Sequence, residues 1–109
     1  MEIRNAKFCI GEVVSHRSLP LRGVVLDVDP VFSRTEEWYR SLPLELRPDK
    51  NQPFYTLVAE NEEGSYLAYI AESNIDRDTS GEPLSNPKLE EIFQLNDTGH
   101  FMPRHAVAH

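Results

Sequence analysis

Two aspartates stand two residues apart in the segment VVLDVDP, Asp27 and Asp29. On a strand that spacing puts both carboxylates on one face, where they could hold a cation or share a proton-transfer task. The plainer reading is structural and is preferred: Asp29, ahead of Pro30, accepts turn hydrogen bonds, and Asp27 pairs with Arg17 or Arg22 across a hairpin. Cys9 and His16 are the residue types of a thiol–imidazole pair, but no third residue is indicated to orient them. Cys9 lies among apolar neighbours in KFCIG and reads as a small buried side chain. His105 and His109 would share a face if helical, as metal ligands often do. With no carboxylate beside them, they and His100 read instead as parts of an exposed tail. The chain has no glycine-rich phosphate loop and no Gly-x-Ser-x-Gly elbow. No catalytic residue, metal ligand or cofactor is therefore assigned, and the expectation is a protein that is not an enzyme.

Contact with a macromolecule is the other chemistry on offer. Arg17, Arg22, Arg34, Arg40, Arg47 and Lys50 fall in one stretch, with Trp38, Tyr39 and Tyr55 close by. Basic residues interleaved with aromatics suit nucleic acid, or a protein partner anchored on Trp38. The same stretch holds Asp27, Asp29, Glu36, Glu37, Glu45 and Asp49. Six cations face six anions, so a phosphate track requires a fold that separates the signs. For Trp38-Tyr39 the preferred role is to anchor a short helix on a sheet.

The elements that must position these residues are short. Val13 and Val14 favour a strand, with Gly11 giving a turn before it. Leu19–Gly23 reads as a turn, with Gly23 permitting close approach or a bulge, and Val24–Asp29 as the clearest strand. Thr35 caps a two-turn helix bearing Glu36 and Glu37 in its first turn and stopped by Pro43. A long loop runs from Leu44 to Pro53. Phe54–Glu60 and Ser65–Glu72 form a hairpin across Asn61–Gly64, with apolar atoms on both faces of the second strand. Asn74–Asp78 is a short strand or turn. Asn86 and Pro87 open a second helix, to Leu95, whose Leu89, Ile92 and Phe93 share a face. These pieces predict a mainly β domain, a strongly bent antiparallel sheet closing partly into a barrel, with an α+β sandwich as the alternative.

Composition narrows the class. The 109 residues suffice for one domain, taken as residues 1–96, followed by a flexible tail at 97–109 with little periodicity. No apolar run approaches the roughly 20 residues a membrane helix needs, and the first residues lack a secretory pattern. The single cysteine excludes an internal disulfide and suits a reducing cytoplasm. The net charge of −7 is uneven: residues 1–55 balance at eight of each sign, whereas residues 56–109 carry ten acids and three bases. That acidic half reads as solvated surface, or alternatively as a dock for a basic partner.

Taken in order, several stretches are similar to one family. They are Lys7-Phe8, Ile10-Gly11, Val13-Val14, His16-Arg17, Arg22–Val25 and Asp27–Pro30. Thr35–Tyr39, Gln52–Tyr55, Tyr66–Tyr69 with Glu72 and Asn74, and Ser80–Pro83 with Pro87 continue them. The set resembles the HspQ/YccV family, small bacterial heat-shock proteins also described as hemimethylated-DNA-binding. The resemblance covers about residues 7–93 and looks like the alphaproteobacterial variety. It implies a small SH3-like, partly open antiparallel β-barrel with one or two short helices, cytoplasmic, non-enzymatic and without cofactors. It further implies self-association, with a trimer as the candidate assembly. Two activities come with it. One is control of proteolysis, promoting turnover of the initiator DnaA and enhancing substrate degradation by the Lon protease; the other is binding of hemimethylated DNA at the replication origin. No site residue transfers from the family. The candidate DNA- or partner-contact residues remain Arg17, Arg22, Arg34, Trp38, Arg40, Arg47 and Lys50. The net negative charge ranks proteolysis control first and DNA binding second.

Overall fold

The computed structural model describes residues 6–84 and 86–104. Strands β1 (Val13–His16), β2 (Arg22–Asp29), β3 (Phe54–Asn61) and β4 (Gly64–Ala71) follow one another as an antiparallel meander. After a 3₁₀ turn at Glu72–Asn74, β5 (Ile75–Arg77) crosses back to pair with β1, giving the order β4-β3-β2-β1-β5. The sheet curls but does not close, which is the partly open barrel expected. Helix α1 (Glu36–Ser41) lies in the β2–β3 connection, and α2 (Pro87–Ile92) runs directly into a small hairpin of β6 (Phe93–Leu95) and β7 (Phe101–Pro103).

Alternation on the central strands builds two cores. Val14, Val25, Tyr55, Leu57, Ala59 and Ile75 fill the concave side with Phe8 and Leu21. Val24 and Val58, one residue out of phase, point the other way and are covered by Leu84, Leu89 and Phe93. A sheet buried on both faces needs apolar residues at consecutive positions, as Val24-Val25 and Leu57-Val58 provide.

Two glycines are required by contact. At Gly11, with φ +91°, a Cβ would stand 2.1 Å from the Phe101 carbonyl oxygen of β7. At Gly23 a Cβ would come within 2.8 Å of the Val58 carbonyl oxygen on the neighbouring strand. Gly23 is thus a point of close approach inside β2 rather than the end of a turn, and the bulge falls later, at Leu26 between Val25 and Asp27.

Other expectations shift in detail. Asn61 pairs with Gly64, so the β3–β4 hairpin turns on Glu62 and Glu63 alone. Thr35 and Asn86 cap their helices by accepting from the N–H groups of Trp38 and Leu89. The second helix ends at Ile92, not Leu95, because Phe93 becomes extended and pairs with Pro103. Strand β7 thereby begins within the segment expected as a tail, with the Phe101 ring 6.0 Å from Phe93. His105 and His109 lie outside the described residues.

Candidate interaction surface

The β2–β3 connection is held down by rings. Phe32, Trp38, Tyr39, Phe54 and Tyr69 form one cluster, with Phe54 stacked on Tyr69 at 5.1 Å and Trp38 edge-on to Tyr69 at 5.4 Å. Edge-to-face and offset-stacked rings at such spacings add about 0.5–1.5 kcal/mol per pair beyond burial. Trp38 and Tyr39 therefore anchor α1, as the aromatic pair predicts. The Tyr39 hydroxyl donates to the Pro48 carbonyl at 2.7 Å and ties the far side of the loop to the helix.

Asp29 is part of this fastening. Its Oδ2 accepts from the Tyr69 hydroxyl at 2.9 Å and from Ser33 Oγ at 2.6 Å. Burial raises the Tyr69 phenol above its ordinary pKa and keeps it a donor. Asp27 accepts from the neighbouring Val28 N–H, so neither Arg17 nor Arg22 is its partner. The expected Asp27–arginine pair fails because both arginines meet acids from β5 and the loop after it: Arg17 with Asp76 at 3.1 Å and Arg22 with Asp78 at 2.5 Å. Among the described residues no three His, Cys, Asp or Glu side chains gather as a metal site.

Cys9 is exposed, contrary to the buried expectation, because Phe8 takes the inward position and packs on Tyr55. Cys9 and His16 do not act on each other: His16 Nδ1 accepts from the Ser18 and Leu19 N–H groups at 2.9 and 3.0 Å. Desolvation lowers the His16 pKa and favours the neutral ring that this cap requires.

The fold divides the basic candidates between two regions. Arg17 and Arg22 lie at the β1–β2 turn. Arg34, Arg40, Arg47 and Lys50 lie around the aromatic cluster. Glu36 meets both Arg40, at 3.5 Å, and Lys50, at 2.5 Å, and its pKa is lowered chiefly by the Lys50 hydrogen bond. The Arg22 side chain is 22% exposed and also donates to the Glu82 carbonyl; the Asp78 bond raises its pKa and lowers that of Asp78. Arg34 stands 4.5 Å over the Tyr69 ring, and Arg47 donates to the Leu42 and Arg40 carbonyls. Among the described residues, only these two of the six have no carboxylate partner.

A groove of about 380 Å³ lies between the β1–β2 turn and the α1 region, lined by Leu19, Trp38, Leu42, Leu46, Phe54 and Ile70 among others. Leu19 is 55% and Leu46 63% exposed, so both present apolar surface to water. Beside it, sharing His16 and Leu19, is an open cleft walled by Glu60, Glu62, Asp78 and Glu82, with Arg22 its one strong cation. Sequence reasoning missed these leucines and this cleft. The available signal was Leu44 and Leu46, apolar residues in a loop whose other members are polar or proline.

No solved structure matches the chain. A family described as hemimethylated DNA-binding protein YccV-like matches residues 6–100, spanning both helices and six of the seven strands as well as every residue of the groove and cleft. The chain belongs to the YccV-like family.

Proposed function

We propose that this protein is a non-enzymatic accessory factor that modulates proteolysis by binding other proteins, enhancing substrate degradation by Lon and promoting DnaA turnover. The observation that supports it is the exposed apolar groove edged by Leu19 and Leu46, together with the pairing of four of the six candidate cations, Arg17, Arg22, Arg40 and Lys50, with carboxylates. Unpartnered apolar surface marks protein contact, whereas matched cations have little left for phosphate. The reading places the protein in the cytoplasm and needs no cofactor. It includes self-association, as a trimer, which sedimentation of the purified chain tests.

The functional test is Lon degradation of a purified substrate, DnaA included, with increasing amounts of this protein. The rate rises if the reading is right. An unchanged rate at several-fold excess over protease overturns it.

Binding of hemimethylated DNA is the second reading, favoured by the family's description and by Arg34 and Arg47, which have no carboxylate partner among the described residues. Two phosphate contacts predict a shallow dependence of log affinity on log salt, with a slope of about −2. Equal affinity for hemimethylated and fully methylated duplexes at two salt concentrations removes this reading.

A further inference from the structure

The groove and the acidic cleft are one surface. His16 and Leu19 line both, so an extended chain leaving the groove over the β1–β2 turn enters the cleft that holds the carboxylates. Those carboxylates are unevenly engaged. Asp78 is held by Arg22, and Glu60 accepts from the Asn86 amide at 2.7 Å. The side chains of Glu62 and Glu82 make no hydrogen bond or ion pair with the described residues, and both are exposed. Arg22 is the one strong cation among them: its Nη2 donates to Asp78 and to the Glu82 carbonyl, and its charge reaches the Glu82 and Glu60 carboxylates only through space. The surface therefore carries apolar anchoring at one end and, with four carboxylates to one arginine, an excess of negative charge at the other.

We propose that this continuous groove and cleft docks an extended protein segment with apolar side chains followed by lysines or arginines. Charge complementarity selects that occupant over an acidic one or a nucleic acid: a phosphate chain or acidic peptide entering the cleft meets four carboxylates. The apolar residues of the segment cover Leu19 and Leu46, and its basic end lies between Glu62 and Glu82. The proposal rests on the reading that the protein works by binding other proteins, and it specifies which kind of segment is bound and where.

The test uses fluorescence anisotropy with three labelled twelve-residue synthetic peptides. One has four leucines followed by four lysines, one replaces those lysines by glutamates, and one replaces the leucines by serines. The full chain is compared with E62Q/E82Q, with L19S, with L46S, and with E90Q/E91Q, which removes two charges from α2 outside the cleft. The leucine–lysine peptide binds best. E62Q/E82Q weakens it about fivefold at low salt, as two rim ion pairs lost together would. Each leucine substitution weakens it about tenfold through lost apolar burial, and E90Q/E91Q leaves it unchanged. Equal weakening by the two glutamine pairs, indifference to the leucine variants, or equal binding of the acidic peptide overturns the proposal. The Lon assay separates this failure from that of the broader reading. Stimulation that persists undiminished in L46S and E62Q/E82Q removes the docking site and keeps the function, whereas peptide binding without stimulation does the reverse.

Discussion

Substituting Gly11 by alanine tests how the β6–β7 hairpin is seated on the barrel. Two costs are expected, and the structure separates them. The first is conformational: an L-residue at φ +91° sits in a region that costs about 1–2 kcal/mol. The second is steric. A Cβ 2.1 Å from the Phe101 carbonyl oxygen is well inside any tolerated contact, so one backbone must retreat by about an ångström. The Gly11 side is fixed by its N–H to the Val25 carbonyl at 2.8 Å and by the return bond from Val25 N–H to Glu12. Strand β7 is three residues long and gives way first, at the expense of the Phe101–Phe93 ring contact, worth about 0.5–1.5 kcal/mol. The total is about 2–4 kcal/mol, read as a lowered urea midpoint. Gly99→Ala and Gly81→Ala provide the controls: their φ values are +83° and +73°, but a Cβ at either meets nothing within 4 Å. They should lose only the conformational part, about 1 kcal/mol. Equal losses in all three variants would refute the seating of Phe101 over Gly11.

Two further outcomes follow from buried or capping polar groups. Tyr55→Phe removes a hydroxyl that donates to Glu72 at 2.6 Å and accepts from the Phe8 N–H at 3.2 Å, leaving that N–H unsatisfied. A loss of about 1–3 kcal/mol in urea unfolding is expected, and a change within measurement error would show that the clasp does not hold Phe8 onto the barrel. His16 has a folded-state pKa below its ordinary value, so the unfolded chain takes up the proton first as pH falls. Its stabilising contribution is complete above about pH 6.5 and declines as pH falls from there toward the folded pKa. The urea midpoint measured from pH 7 to 5 should therefore fall more steeply in the wild type than in His16→Gln, and parallel curves would contradict the cap.

The features legible in the sequence are those carried by local chemistry. Thr35 and Asn86 have side chains that can cap a helix whatever the rest of the fold does, and both do so. The β3–β4 hairpin is readable because each strand is eight residues long. Strands of three residues, such as β5, β6 and β7, are too short to show a period, and their pairing is decided by partners elsewhere. Phe93 illustrates the point: its spacing from Leu89 fits a helix, and it is buried as predicted, but from the first position of a strand. Cys9 and Phe8 are adjacent apolar residues, and which one turns inward depends on the Tyr55 ring forty-seven positions away. The basic residues could be enumerated, but not their neutralisation, since Asp76 and Asp78 reach Arg17 and Arg22 only through the return of β5 to β1. The groove was hidden for the same reason, its leucines coming from two separate connections.

The outward placement of Cys9 has a practical consequence. The sole thiol of the chain is accessible, while its neighbour Phe8 is tucked under the Tyr55 hydroxyl. A maleimide fluorophore attached there would label one defined position without mutagenesis, next to the clasp that fastens the segment around Phe8. Its emission would report the release of that segment separately from melting of the sheet, and give a direct view of which part of the molecule loosens first.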